Sequence, residues 1–229
     1  MIPWLSDDDP LPPVERALDR PNGLLAAGGG LSVERLVSAY SQGCFPWYSP
    51  GEPVLWWSPD PRMVLFPHEL HVPRSLERRL KRREFRFTVD AAFGDVIAAC
   101  AEPRGDGGTW ITPDMSAAYR RLHAAGHAHS IEAWQDDLLV GGLYGVGIGA
   151  VFFGESMFTR VPDASKAAFV TLVRAFVDWG IGLIDCQMST EHLARFGARE
   201  IPRAEFMGRL MPLVAAAGPR AWRLDAHGG

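Results

Sequence analysis

Leu138-Leu139-Val140-Gly141-Gly142-Leu143-Tyr144-Gly145-Val146-Gly147-Ile148-Gly149-Ala150-Val151-Phe152-Phe153 decides the architecture. It reads as two strands, Leu138–Val146 and Gly149–Phe153, turned at Val146-Gly147. Asp136-Asp137 turns it back onto an earlier strand, Ser130–Trp134, so three strands follow one another as a meander. Gly141, Gly142 and Gly145 lie inside the middle strand, where they permit a bulge or a close approach of other chain to its backbone. Downstream, Asp163 stands where it can cap a helix running to Trp179, with Ala167, Val170, Val173, Phe176 and Val177 inward and Gly180 as its stop. A strand over 181–186, a short helix over 190–196, a strand over 198–201 and a last helix from Pro202 follow, and the tail after Ala217 is expected to fray. Upstream lie a strand at 85–89, a helix at 91–101, a loop from Glu102 to Gly108 and a helix at 113–125. From residue 85 the order is β-α-α-β-β-β-α-β-α-β. That is α+β with a mixed sheet flanked by helices, not a doubly wound fold.

Residues 1–30 are rich in Pro, Gly and Asp and read as turns and irregular chain. Gly28-Gly29-Gly30 lacks the spacing of a phosphate loop and reads as a flexible turn. Ser32 can cap a helix carrying Leu36, Val37 and Tyr40 and ended by Gly43. Beyond it, Trp47, Trp56 and Trp57 lie among prolines that disfavour helix and central strand. Tryptophans so placed can pack two domains together or stack on a nucleobase. The turn Pro59-Asp60-Pro61 marks the expected boundary between a small N-terminal domain, 1–60, and a larger one, 61–229.

The chain has 229 residues, 47% of them hydrophobic and 22% charged, enough to build a core without disulfides. Cys44, Cys100 and Cys186 show no CxxC spacing, which argues against a disulfide framework or a zinc site and fits a reducing compartment. His123, His127 and His129 are close in sequence, but no spacing puts two on one helix face with an acid, so no metal is expected. There is no run of 18 apolar residues, and the acidic N-terminus is unlike a signal peptide, so the expected location is cytoplasmic, with no membrane partner. Net charge is −4, yet Arg74 to Arg86 holds seven basic residues and two acids, a segment at +5 in a remainder at −9. Such a patch is either a solvated helix face or a place to hold a polyanion.

Glu155 stands in the apolar run Phe152-Phe153-Gly154-Glu155-Ser156-Met157-Phe158, and Asp185 and Gln187 end the apolar strand Leu183-Ile184-Asp185-Cys186-Gln187. A carboxylate among apolar residues is costly unless it is partnered or faces water, so the two strand ends are candidates for one site. No Ser-His-Asp spacing or GxSxG elbow exists, which disfavours covalent hydrolysis. The acids can instead hold and deprotonate an amine that attacks an activated ester. The structural alternatives are an N-cap or ion pair with Lys166 for Glu155, and a strand-end turn for Asp185.

The element order resembles the Gcn5-related acetyltransferase superfamily, but the coenzyme A pyrophosphate loop is missing from Thr159–Lys166. A closer resemblance rests on Pro21-Asn22-Gly23-Leu24-Leu25-Ala26, Gly43-Cys44-Phe45-Pro46-Trp47, Leu55-Trp56-Trp57-Ser58-Pro59-Asp60-Pro61-Arg62, Gly108-Thr109-Trp110-Ile111, His127-Ala128-His129-Ser130-Ile131-Glu132, Gly154-Glu155-Ser156-Met157-Phe158 and Leu183-Ile184-Asp185-Cys186-Gln187. In these runs, from about Pro21 to Phe206, the chain resembles the leucyl/phenylalanyl-tRNA–protein transferases. It departs from them at Gly30 and from Val214 onward. The resemblance implies an acetyltransferase-like C-terminal domain and no cofactor. It implies transfer of Leu or Phe, and Met less well, from aminoacyl-tRNA to proteins whose N-terminus is Arg or Lys, which marks them for N-degron degradation. It implies Trp47 and Trp110 at the terminal adenosine of the tRNA, and Leu143, Phe152, Leu172, Phe176 and Ile184 around the aminoacyl side chain, with Leu143 and Leu172 where the family often has Met and Phe. It implies Gln187, oriented by Asp185, as the group drawing the amine proton, and Glu155 as the holder of the cationic amine or side chain. The basic segment, with Arg74, Arg78, Arg79, Lys81, Arg82 and Arg83, then becomes the expected site for acceptor-stem phosphates. Two other readings remain: an acyl-coenzyme A N-acyltransferase, and a non-catalytic RNA-binding module built on the tryptophan loops and basic helix.

Overall fold

Alternation of apolar residues builds the meander, and it is longer than the sequence pattern suggests. In the computed structural model, which describes residues 1–103 and 109–224, it comprises β7 (Ala128–Gln135), β8 (Leu138–Ile148) and β9 (Val151–Thr159). β9 therefore continues well past Phe153, and Glu155 lies inside a strand rather than at its end. The expected loop from Glu102 to Gly108 lies largely outside the described residues.

Seven strands form the main sheet in the order β11-β5-β10-β9-β8-β7-β6. Here β5 is Arg62–Leu65, β6 is Arg86–Val89, β10 is Leu183–Gln187 and β11 is Arg199–Ile201. All neighbours are antiparallel except β9 and β10, which pair parallel over only three residues, Val151–Phe153 against Leu183–Asp185. The sheet is mixed, as the element order implies, and helices cover both faces. β5 is an addition to the sequence reading, which assigned no element directly after the Pro59-Asp60-Pro61 boundary. All four of its residues are buried, so it has no polar-apolar alternation to betray a strand.

A second, four-stranded sheet is built by the part read as irregular. Its order is β1-β2-β4-β3, from Trp4–Leu5, Leu24–Gly28, Leu55–Trp57 and Phe45–Pro46. Pro46 is tolerated because β3 is an edge strand. The helix α1 (Val33–Ser41) follows β2, with the Ser32 hydroxyl accepting from the Arg35 amide as expected.

Because neighbouring residues on a strand face opposite ways, the main sheet feeds two cores. Tyr144, Phe153 and Leu183 join Leu36, Tyr40 and Trp56 of the N-terminal part, with residues of α3 (Phe93–Ala101), α4 (Pro113–Ala124) and α7 (Arg203–Val214). Leu143, Phe152 and Ile184 face the other way, onto α5 (Ala164–Trp179), with Leu76 of α2 (Arg74–Lys81). A short α6 (Glu191–Ala194) lies beside that core.

Two local expectations fail. Asp163 is left-handed (φ 66°) and caps no backbone amide; its carboxylate takes Lys166 at 2.7 Å and Arg79 at 3.2 Å instead. The segment after Ala217 is not frayed as far as it is described, because Trp222 packs against the second core.

Candidate functional site

Two bulges create the site. Across β8 and β9, Gly145 pairs with Gly154 and Tyr144 with Ser156, so Glu155 is an extra residue with no partner in the ladder. Across β10 and β5, Asp185 pairs with Val64 and Gln187 with Met63, so Cys186 is extra. Gln187 adopts φ 63°, outside the range a continuing strand would use. A bulge re-aims side chains and ends regular pairing. Here both occur where the brief parallel contact of β9 and β10 stops, and the strands part there to leave a gap.

Glu155 is held on three sides. Its Oε1 accepts from the Tyr40 hydroxyl at 2.7 Å and from Gln187 Nε2 at 2.8 Å, and its Oε2 accepts from the Tyr119 hydroxyl at 2.9 Å. Tyr40 and Tyr119 also share a 2.5 Å contact with each other. Burial pushes the Glu155 carboxyl up to about 7, against the pull of these three donors, and the nearby Asp185 charge adds to the rise. Burial first, and the Glu155 charge second, raise both phenols well above their usual range, so they stay protonated donors.

Asp185 is placed differently from expectation. It is fully buried and forms a two-pronged ion pair with Arg62, at 2.8 Å from Nε and 2.6 Å from Nη2. The Arg62 guanidinium lies between the Phe45 and Phe206 rings and donates to the Gly43 carbonyl. What Asp185 does for Gln187 is to accept its backbone amide at 2.9 Å, which pins the left-handed turn; the side-chain amide of Gln187 goes to Glu155. Arg62 was invisible as a site residue because it sits in the strand that the sequence pattern does not reveal.

A cavity of about 450 Å³ opens beside Glu155 and Gln187. Trp47, Trp110, Leu143, Phe152 and Ile184 line it, with Tyr144, Met157, Phe169, Cys186, Met188 and Leu193 as lining residues that sequence reasoning missed. Leu172 and Phe176 do not line it. Both are buried in the second core, and the Phe176 ring backs Phe152 at 4.9 Å. Trp47 is 38% exposed at the mouth and packs edge-on against Trp57, whose indole N–H donates to the Trp47 carbonyl. Trp56 is fully buried, its N–H given to Gly28. Packing and exposure are thus divided among the three tryptophans. Burial pushes the Cys186 thiol well above its usual range, so it is a neutral wall rather than a nucleophile.

On α2, Arg74, Arg78 and Lys81 are exposed, as are Arg82 and Arg83 just after it. Arg79 stands apart. It bonds Glu84, Asp163 and the Pro162 carbonyl and lies over Phe85, so it ties α2 to the start of α5. Among the described residues no group of three or more His, Cys, Asp or Glu could hold a metal ion, and no helix is long and apolar enough to cross a membrane.

An apolar cavity with an acid and an amide at one edge, the acid backed by two buried phenols, suits the binding of an apolar acyl group beside an amine. The comparisons with known proteins agree. Residues 64–211 match the family described as leucyl/phenylalanyl-tRNA protein transferase, and residues 29–60 match the N-terminal domain of the same family. Leucyl/phenylalanyl-tRNA–protein transferases of Laribacter hongkongensis and Nitrosomonas europaea are each 59% identical, over 97% and 98% of this chain and 97% and 96% of their own lengths. That of Stutzerimonas stutzeri is 58% identical over 97% of this chain and all of its own length. Among solved structures, "The structure of L-PGS from Bacillus licheniformis" aligns at 12% identity and a TM-score of 0.41, over 70% of this chain and 55% of that one. A GCN5-related N-acetyltransferase from Kribbella flavida aligns at 12% identity and a TM-score of 0.37, over 71% and 58%. On the two family matches and these full-length relatives, the chain belongs to the leucyl/phenylalanyl-tRNA–protein transferases.

Proposed function

We propose that the cavity takes the Leu or Phe side chain of an aminoacyl-tRNA, with its terminal adenosine between Trp47 and Trp110, and that Glu155 accepts the proton of the attacking amine. The acceptor is the free α-amine of a protein beginning with Arg or Lys, in the cytoplasm, and Met is the weaker donor. Carrying this reading is one observation: a carboxyl that lines the apolar cavity beside Gln187, where burial pushes it up to about 7. A base is most effective when its pKa is near the working pH. Gln187 is an amide and has no useful basicity, so its part is to orient: Nε2 donates to Glu155 and leaves Oε1 to accept from the amine.

The reaction then balances without a cofactor. The amine nitrogen attacks the ester carbonyl, the C–N bond forms and the C–O bond to the ribose breaks. Glu155 takes the amine proton and passes it on to the departing ribose oxygen, which restores the carboxylate. Since the ester is already activated, positioning and proton removal are all the protein must supply. An apolar pocket separates Leu from a side chain one methylene shorter by only about 1–3 kcal/mol. It excludes charged side chains far more strongly, because they would be buried unpaired. Purified protein given leucyl-tRNA is expected to label a peptide beginning with Arg or Lys and not one beginning with Ala. Labelling of all three alike would defeat the acceptor assignment, and labelling of none would defeat the donor assignment.

The exposed cations of α2 are proposed to take acceptor-stem phosphates. Replacing Arg78, Lys81 and Arg83 by Ala is expected to weaken tRNA binding and to reduce the slope of log affinity against log salt by about 1 for each phosphate no longer neutralised. An unchanged slope returns α2 to the role of a solvated helix. The coenzyme A reading has a local obstacle. The start of α5, where a pyrophosphate would be expected, carries the Asp163 carboxylate already paired with Lys166 and Arg79.

A further inference from the structure

Along β8 the missing side chains of two glycines make room for two rings. A Cβ on Gly145 would come within 2.5 Å of the Phe152 ring, and a Cβ on Gly147 within 2.5 Å of the Trp222 indole. The two glycines are two positions apart, so both open on the same face of the strand. Trp222 arrives from the segment after α7, which crosses β8's end where Gly218 meets the Gly149 carbonyl. Its indole lies flat on His129, with ring centres 3.7 Å apart and planes at 9°. His129 is in turn fixed by Asp90, Nδ1 to Oδ2 at 2.7 Å. The indole stands 6.0 Å from Phe152, 6.0 Å from Phe176 and 5.6 Å from Trp179. Of these rings only Phe152 also lines the cavity.

Phe152 therefore has the cavity on one side and a wall of aromatic rings on the other. Packed interiors leave no room for a ring to retreat unless a neighbour is removed. We propose that Trp222 is a positioning residue for donor choice. By standing on Gly147 and behind Phe152, it holds the Phe152 ring forward and so sets the depth available to the aminoacyl side chain. The proposal rests on the reading that this cavity takes that side chain. It gives the C-terminal segment a part in selectivity although none of its described residues lines the cavity.

The test is the ratio of kcat/KM for phenylalanyl-tRNA to that for leucyl-tRNA, measured with the full chain, the W222A and W222F variants and, should W222A fold poorly, W222L. Thermal midpoints report folding separately. With the indole gone, the ratio is expected to move toward the larger phenylalanine by about 3- to 10-fold, within the range one pocket contact commands. W222F is expected to keep a ratio near that of the unchanged protein. An equal fall on both donors, or an unchanged ratio in a folded W222A or W222L, overturns the proposal and leaves Trp222 as a fastener of the tail. Failure of the unchanged protein to transfer from either tRNA overturns the donor-site reading itself, which is a distinct result.

Discussion

Glu155→Gln is expected to lower the rate of aminoacyl transfer by about 10²- to 10⁴-fold, the usual worth of a positioned base. The substitution keeps the shape and can keep the bonds from Tyr40 and Tyr119, so tRNA affinity should hardly change. The pH dependence separates base from bystander. In the unchanged protein the acid limb of kcat/KM should include a group near 7, because Glu155 must be ionised to accept a proton. The α-amine of the acceptor titrates at about 7.7–8.0 and remains in both proteins. Loss of the lower limb with retention of the amine's own is therefore the signature. A Glu155→Gln protein with nearly full rate would refute the assignment. Stability gives an independent reading. The folded carboxyl sits above its ordinary 4.5, so the folded state holds the proton longer. Its contribution is complete below about 4.5 and is lost as pH rises through about 7, with a slope near 1.4 kcal/mol per pH unit. Urea unfolding of Glu155→Gln should lack that slope.

Arg62→Ala is expected to cost about 3–5 kcal/mol of stability. It strands the fully buried Asp185 carboxylate without its partner and empties the space between Phe45 and Phe206. Asp185→Ala should be as costly, since it leaves the guanidinium unpaired and the Gln187 amide without its acceptor. Replacing both by apolar residues should recover much of the loss, because a buried ion pair is worth little net against a well-packed apolar pair. It should not recover activity, because the Gln187 turn still lacks its anchor. Denaturation midpoints and single-turnover rates measured together check both halves. A loss below about 1 kcal/mol in Arg62→Ala would contradict the pairing as described.

These two predictions also mark where the sequence was readable. Glu155 drew attention as a charge in an apolar run, and Leu143, Phe152 and Ile184 were placed by motif; all reach the cavity. The meander and the helix after it were legible because their apolar residues recur with the right period. Arg62 was not legible. Its strand is buried on both faces and so lacks alternation, and it follows directly on the Pro59-Asp60-Pro61 turn that read as a domain boundary. Tyr40 was read only as the apolar face of a helix. Its hydroxyl matters, but the bond it makes spans 115 residues, which no local pattern records. The Tyr119 bond, across 36 residues, escapes local pattern for the same reason. Leu172 and Phe176, which the resemblance implied at the aminoacyl side chain, lie instead in the second core behind the cavity lining. Glycine was the subtlest signal. The sequence marked β8 as approachable, and the rings that approach it come from Phe152 and the distant Trp222.

Tyr40 belongs to α1, Tyr119 to α4 and Gln187 to β10, so the three groups bonded to Glu155 come from three elements far apart in the chain. The acidity of that one carboxyl is therefore a gauge of how firmly the parts are docked. If α1 drew back from the sheet, water would reach the carboxyl and its pKa would fall toward 4.5, leaving a weaker base. On the proposed reading of Glu155, base strength is a property of assembly rather than of one residue, and a loosened molecule is expected to go quiet before it unfolds.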